Sequence, residues 1–213
     1  MKICVLMKQV PDKDSPLKIS FDNVTIDKNM VTYATNECDS YTLEEALQIK
    51  ENIGGEVVVC TFGKESALQV VKDALAKGAD RAIFINESDF NSPDIQVIGN
   101  IISDKLKEEN FDLILSGLQS DDSGNGQLGL IIAEILNMAH ATLVMGTEVL
   151  TNKTIKVKRE LESGWFQWVE LDLPASITIQ SGINTPRYAS LKGIMAMKKK
   201  TIERLSKTDF SSS

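Results

Sequence analysis

The feature that most constrains this chain is a change of hydrophobic period that recurs through its first half. Short, uninterrupted apolar runs at residues 3–7, 57–61, 82–85 and 112–116 alternate with amphipathic stretches. Runs of Val, Ile and Leu without polar alternation suit strands covered on both faces, and hence a parallel sheet. The stretches between them carry helical spacing. In residues 39–50, Leu43, Ala46, Leu47 and Lys50 follow the 3, 4, 7 pattern, and the first three form an apolar stripe. Residues 66–76 repeat it with Ala67, Val70, Val71, Ala74 and Leu75, and Gly78 stands where such a helix should end. Residues 94–106 and 126–136 read as two further helices. Strand–helix alternation of this kind predicts right-handed crossovers and a doubly wound, mostly parallel α/β sheet.

Two segments break the alternation. Residues 17–21, 24–27 and 30–34 read as short strands joined by polar turns, a small antiparallel addition after the first strand. Residues 155–162 and 165–173 both alternate, with Trp165, Gln167, Val169, Leu171 and Leu173 on one face and Ser163-Gly164 as the turn, so they predict a hairpin. Residues 175–180 return to a core-type strand. A polar loop over 181–190 and a short basic helix from Leu191 to about Lys200 follow. With 213 residues the chain suffices for one sizeable core. Residues 1–205 read as one nucleotide-binding domain, and 206–213 as a flexible tail whose last three serines should be disordered.

Charge and cysteine usage exclude several function classes. A net charge of −7 gives no general attraction for nucleic acid or anionic lipid. No apolar stretch reaches the roughly 18 residues needed to span a bilayer. The first strand starts at Lys2 and leaves no room for a signal peptide, so a cytoplasmic location is the expectation. Cys4, Cys38 and Cys60 form no CxxC pair, and His140 is the only histidine, so no metal site is indicated. Lys198, Lys199 and Lys200 form a basic run that reads either as a solvated helix face or as a docking site for an acidic partner.

Ligands of open parallel sheets bind beyond the carboxyl ends of the strands. That rule selects residues 8–12, 36–39, 61–63 and 117–129. The fourth segment follows a strand and opens a helix. Gly124, Gly126 and Gly129 allow close backbone approach, and a helix start offers free N–H groups to a phosphate. Ser123, Asn125 and Gln127 add side-chain donors. Neither a Walker motif nor GxGxxG is present, and the same segment also reads as a polar turn capped by Asp122. Asp121 and Asp122 would repel phosphate, unless they cap helices or meet ribose hydroxyls. Residues 36–39 read equally as a plain helix N-cap. No nucleophile and base stand in a catalytic pattern.

Taken together, these segments resemble the beta subunit of the electron-transfer flavoproteins, from Met1 to about Glu203. Val5-Leu6-Met7-Lys8-Gln9-Val10-Pro11-Asp12 is similar to the family's first strand and KQVPD turn. Asn36-Glu37-Cys38-Asp39 leads into Leu43-Glu44-Glu45-Ala46-Leu47, like the family's EEAL helix. The ALAKGAD string at 74–80 and Val157-Lys158-Arg159-Glu160 also match. The most specific match is Asn184-Thr185-Pro186-Arg187-Tyr188-Ala189-Ser190-Leu191, followed by Ile194-Met195.

The resemblance implies an adenine-nucleotide alpha-hydrolase-like fold and an electron carrier without catalytic residues of its own. It implies a larger alpha subunit carrying the redox-active FAD, partner flavin dehydrogenases and a downstream redox acceptor protein. In ordinary members the beta subunit holds a structural AMP; in electron-bifurcating members the same pocket takes a second FAD that meets NADH. Carried over, the nucleotide contacts fall on Leu6, Asn36, Glu37, Cys38, Asp39, Thr61, Phe62, Asp122, Ser123, Gly124, Asn125, Gly126, Gln127, Leu128 and Gly129. A recognition loop over 184–197, with Pro186, Arg187, Tyr188, Ile194, Met195 and the anchor Leu191, would dock the dehydrogenases. Leu191 reads otherwise as a helix-start residue tucked onto its own core. The family's C-terminal extension around the alpha subunit is mostly lacking.

Overall fold

The structure is a computed structural model that describes residues 1–210, apart from Ser92 and the side chain of Lys28. In chain order the first half runs β1 (Lys2–Leu6), β2 (Gln9–Pro11), β3 (Tyr33–Thr35), α1 (Glu37–Ile53), β4 (Glu56–Gly63), α2 (Leu68–Lys77), β5 (Arg81–Asn86), α3 (Ile95–Glu109) and β6 (Leu113–Gly117). The second half runs α4 (Leu128–Ile135), β7 (Ala139–Thr151), β8 (Thr154–Glu160), β9 (Phe166–Asp172), β10 (Ala175–Ile179), α5 (Leu191–Met197) and β11 (Ile202–Leu205).

Nine strands form one sheet in the order β11-β5-β4-β1-β6-β10-β7-β8-β9. It is parallel from β11 to β7 and antiparallel through β8 and β9. The two-faced apolar runs account for the layers. Ile3, Val5, Val57 and Val59 face α1 and α2, meeting Leu43, Ala46, Leu47, Val71 and Leu75. Cys4, Leu6, Val58 and Cys60 point the other way, into Ile101, Ile102, Leu106 and Ile132 of α3 and α4. The doubly wound expectation therefore holds, with helices on both faces. Truncating a side chain such as Leu43, 1% exposed, should cost about 2–5 kcal/mol.

The order also fixes a crevice. The chain moves outward from β1 to β4 and β5, then returns across β1 to lay down β6 on its other side. The carboxyl ends of β1 and β6 thus diverge into loops that leave in opposite directions, the point where open α/β sheets take ligands.

Local expectations need correction in several places, and β7 and β11 carry no strand signal in the sequence. Residues 17–27 form no strands, only an isolated bridge between Ile19 and Ile26. Leu17, Ile19, Phe21 and Val24 are exposed there, so nothing buries a strand face. The antiparallel addition is instead a two-stranded sheet of β2 with β3. The long β7 carries no alternation because its register with β10 shifts between Ile177 and Ile179, with Leu143 at φ 57°. The basic helix ends at Met197 rather than near Lys200, and the four-residue β11 follows it beside β5. The hairpin is present as β8 and β9, and Leu171 is buried, but Trp165 lies largely in solvent. After β11, Ser206 caps a short turn and Phe210 packs against the α3-side core. The expected disorder of 211–213 lies outside the described residues.

Candidate functional site

The crevice is assembled around the start of α1. Asn36 is the N-cap residue by position, yet its side chain makes no capping bond. Its amide instead donates to the Gln119 carbonyl at 2.9 Å and to Asp39 Oδ1 at 3.1 Å, and its Oδ1 accepts from the Asp121 amide at 2.9 Å. The plain N-cap reading is therefore replaced by a brace between α1 and the loop that leaves β6. Asp39 joins the same two strands. Its Oδ2 accepts from the Lys8 amide at 2.7 Å, just past β1, and the carboxylate lies close against Gly117 at the end of β6. A Cβ at Gly117 would sit 2.3 Å from Asp39 Oδ1, so only glycine admits this approach. Burial pushes the Asp39 carboxyl up to about 7, against the donors that favour its charge. Cys38 packs beside it with its thiol raised, first by burial and then by the Asp39 charge.

The two carboxylates that would repel phosphate are engaged elsewhere. Asp121 Oδ2 accepts from the Glu37 amide at 2.9 Å and so caps α1 from a distant loop. Asp122 pairs with Lys8 Nζ at 2.7 Å. Burial alone would raise the Asp122 carboxyl, but the Lys8 contacts outweigh it and hold it below the usual range. Asp122 does not cap α4, as the turn reading expected; Gln127 stands at that N-cap without a side-chain bond. The loop is tightened by Gly124 N donating to Ser120 O at 2.8 Å and by the Ser120–Ser123 hydroxyl pair at 2.8 Å. Among the described residues, the exposed side chains of Asn125 and Gln127 have no hydrogen-bond partner.

The remaining expected residues stand at the same end of the sheet or at the start of α4. Leu6 ends β1, Thr61 and Phe62 precede Gly63 at the end of β4, and β1 and β4 are neighbours in register, Leu6 opposite Cys60. Gly129 lies in the first turn of α4, where a Cβ would stand 2.5 Å from Ser116 Oγ. Three buried hydroxyls lie toward this end of the sheet. Thr61 Oγ1, Ser116 Oγ and Thr178 Oγ1, at or near the carboxyl ends of β4, β6 and β10, are buried with no protein partner among the described residues. Ser116 and Thr178 lie outside the segments selected from the sequence; Lys8, Gln119 and Asp121 lie inside them, Asp121 with a helix cap as one of its readings, but without their partners being legible. Their roles depend on strands brought together by the fold.

A second surface is built on the middle of α1. Asn184 Nδ2 donates to Glu45 Oε2 and to the Tyr41 carbonyl, both at 3.0 Å. Arg187 grips Glu44 from Nε at 2.8 Å and Nη2 at 2.9 Å, and reaches Glu51 as well. Burial would raise the Glu44 carboxyl; the Arg187 bonds outweigh it and hold it low. Arg187 is thus the loop's inward anchor. The side chains it leaves outside are apolar: Tyr188 is 95% exposed, Leu191 83% and Met195 72%, with Ile194 partly so. Leu191 is not tucked onto its own core. Of the lysine run, Lys198 and Lys199 are exposed, while Lys200 Nζ donates to the Leu75 and Ala79 carbonyls and closes the end of α2.

A family model described as "Electron transfer flavoprotein domain" matches residues 24–210. The chain belongs to the electron transfer flavoprotein family. Among its relatives is the electron transfer flavoprotein subunit beta of Methylophilus methylotrophus, 38% identical over 213 residues, covering 98% of this chain and 80% of the relative. The subunit beta of Bacillus subtilis (strain 168) is 36% identical over 210 residues with the same coverage, and that of Thermoanaerobacterium thermosaccharolyticum is 34% identical over 210 residues. The family places the chain among electron transfer proteins, and the large parallel sheet flanked by helices, with its small antiparallel pair, agrees with the family's fold. Among the described residues, no helix is long and apolar enough to cross a membrane.

Proposed function

We propose that this chain is the beta subunit of a heterodimeric electron transfer flavoprotein that holds AMP in the crevice between β1 and β6. The observation that carries the nucleotide reading is the loop 118–127. Asn36 fixes it, Lys8 and the α1 amide absorb both of its carboxylates, and its uncapped helix start and free amide side chains face outward. AMP supplies no redox chemistry; its adenylate group would brace the loop. The backbone N–H groups at the start of α4, with Ser123, Asn125 and Gln127, would hold the phosphate. Leu6, Thr61 and Phe62 would border the adenosine.

The redox work belongs to an FAD held mainly by an alpha subunit, which takes electrons from a flavin dehydrogenase and passes them to a downstream redox protein. This chain positions the complex for that exchange. Tyr188, Leu191, Ile194 and Met195, presented on a loop locked by Arg187 and Asn184, form the dehydrogenase-docking surface. An exposed leucine on a rigid loop can dominate a small interface by filling one pocket. Leu191→Ala tests this. In the complex with the alpha subunit, the variant is expected to keep its fold and nucleotide content and to slow electron transfer from a partner dehydrogenase roughly tenfold, the effect of about 1.4 kcal/mol. Unchanged transfer kinetics would refute the docking assignment.

A further inference from the structure

Three phenylalanines distant in sequence meet beside the carboxyl ends of β4 and β5, on the β4 side of the crevice. Phe62, next to last in β4, lies on the sheet face that carries α3 and α4, and like Leu128 at the start of α4 and Ile98 in the first turn of α3 it packs, partly buried, against the core on that side. Phe90 follows β5, and its ring centroid lies 5.4 Å from that of Phe62 at an interplanar angle of 49°. Phe210 closes the row at 6.2 Å from Phe90 and 60°, an edge-on contact. Both separations fall in the range where aromatic rings attract through their quadrupoles. None of the three is fully buried, so the row is a partly exposed aromatic wall rather than core. The last ring is held in place by its own segment. β11 pairs with β5, Asp209 Oδ2 accepts from the Ser206 amide at 2.7 Å and hydroxyl at 2.8 Å, and the Phe210 amide donates to Lys207 O at 3.2 Å.

We propose that Phe210 is a positioning residue for the base of the bound purine nucleotide, acting through Phe90 on Phe62. This rests on the nucleotide reading above and assigns the base end of that site. A nucleobase stacks on an aromatic face through its π surface, and does so best when the ring holds its angle. Phe62 stands next to last in its strand and is only partly buried. Phe90 supports its ring, and Phe210 in turn supports that of Phe90. The C-terminal segment therefore braces the base wall, while the phosphate end depends on α4 and its loop.

The test separates the two ends. The full-length chain in complex with its alpha subunit, stripped of nucleotide, is titrated with AMP, and ribose 5-phosphate is measured by competition. Phe210→Ala is expected to weaken AMP roughly two- to tenfold, the value of one aromatic pair, and to leave ribose 5-phosphate unchanged. Phe210→Tyr should retain wild-type AMP affinity. Equal weakening of both ligands would mean general loosening and would overturn the assignment, as would unchanged AMP affinity in Phe210→Ala. If the unsubstituted complex binds no AMP, the nucleotide reading itself falls, and this inference with it.

Discussion

Asp39 accepts from the Lys8 amide and the Asn36 side chain, yet it is only 5% exposed. Its carboxyl titrates at about 7 in the folded protein, against the ordinary 3.8 of a solvated aspartate. Folding therefore favours the protonated form. That contribution is complete below pH 3.8 and is lost as pH rises through about 7. The thermal midpoint of the nucleotide-free protein is expected to climb as the buffer is taken from about pH 8 to about pH 5, and Asp39→Asn should remove most of the climb. A variant with the same slope as wild type would show that the buried carboxyl is not its source. At this scale the sequence disclosed identity but not direction. Asn36 and Asp39 stood in a recognisable string, but Asn36 bonds to residues 83 and 85 positions away. A cap and a brace are indistinguishable until the loop after β6 is in place.

At the scale of elements, α1 joins both surfaces. Its first turn organises the crevice through Asn36 and Asp39, and its middle turn locks the exposed loop through Glu44 and Glu45. The adjacent glutamates of the EEAL string were legible as a motif. Their partners, more than 130 residues away, were not. Elements apolar on both faces were placed from sequence to within a few residues, because burial on two sides leaves no polar alternation. β7 was missed because a bulge breaks its period, and β11 because its four residues include Glu203 and Arg204. The arm at 13–32 failed for the opposite reason. Its apolar residues suggested strands, but Phe21 is fully exposed and Val24 nearly so. Asp22 organises the tip instead, accepting from the amides of Val24 and Thr25. Replacing residues 16–26 by a short Gly-Ser turn is therefore expected to change unfolding stability by no more than about 1 kcal/mol. A larger loss in a denaturant titration would show that the arm belongs to the core.

On the scale of the whole molecule, the fold separates support from presentation. The amino edge of the sheet is tied by Lys2, Arg81 and Lys105 around Glu109, whose carboxyl Lys2 and Arg81 hold at about 2 despite burial. Toward the carboxyl edge, among the described residues, stand unpaired buried hydroxyls and a helix start without a side-chain cap. The central claim is that this edge carries one adenine nucleotide beside an FAD in the alpha subunit. The direct measurement is to purify the chain with its alpha subunit, release the ligands with acid, and quantify AMP and FAD per heterodimer. One AMP and one FAD is the predicted result. Two FAD and no AMP would contradict the structural-AMP assignment and place a second flavin in the crevice, and a single FAD with no other adenine compound would contradict nucleotide binding by this chain.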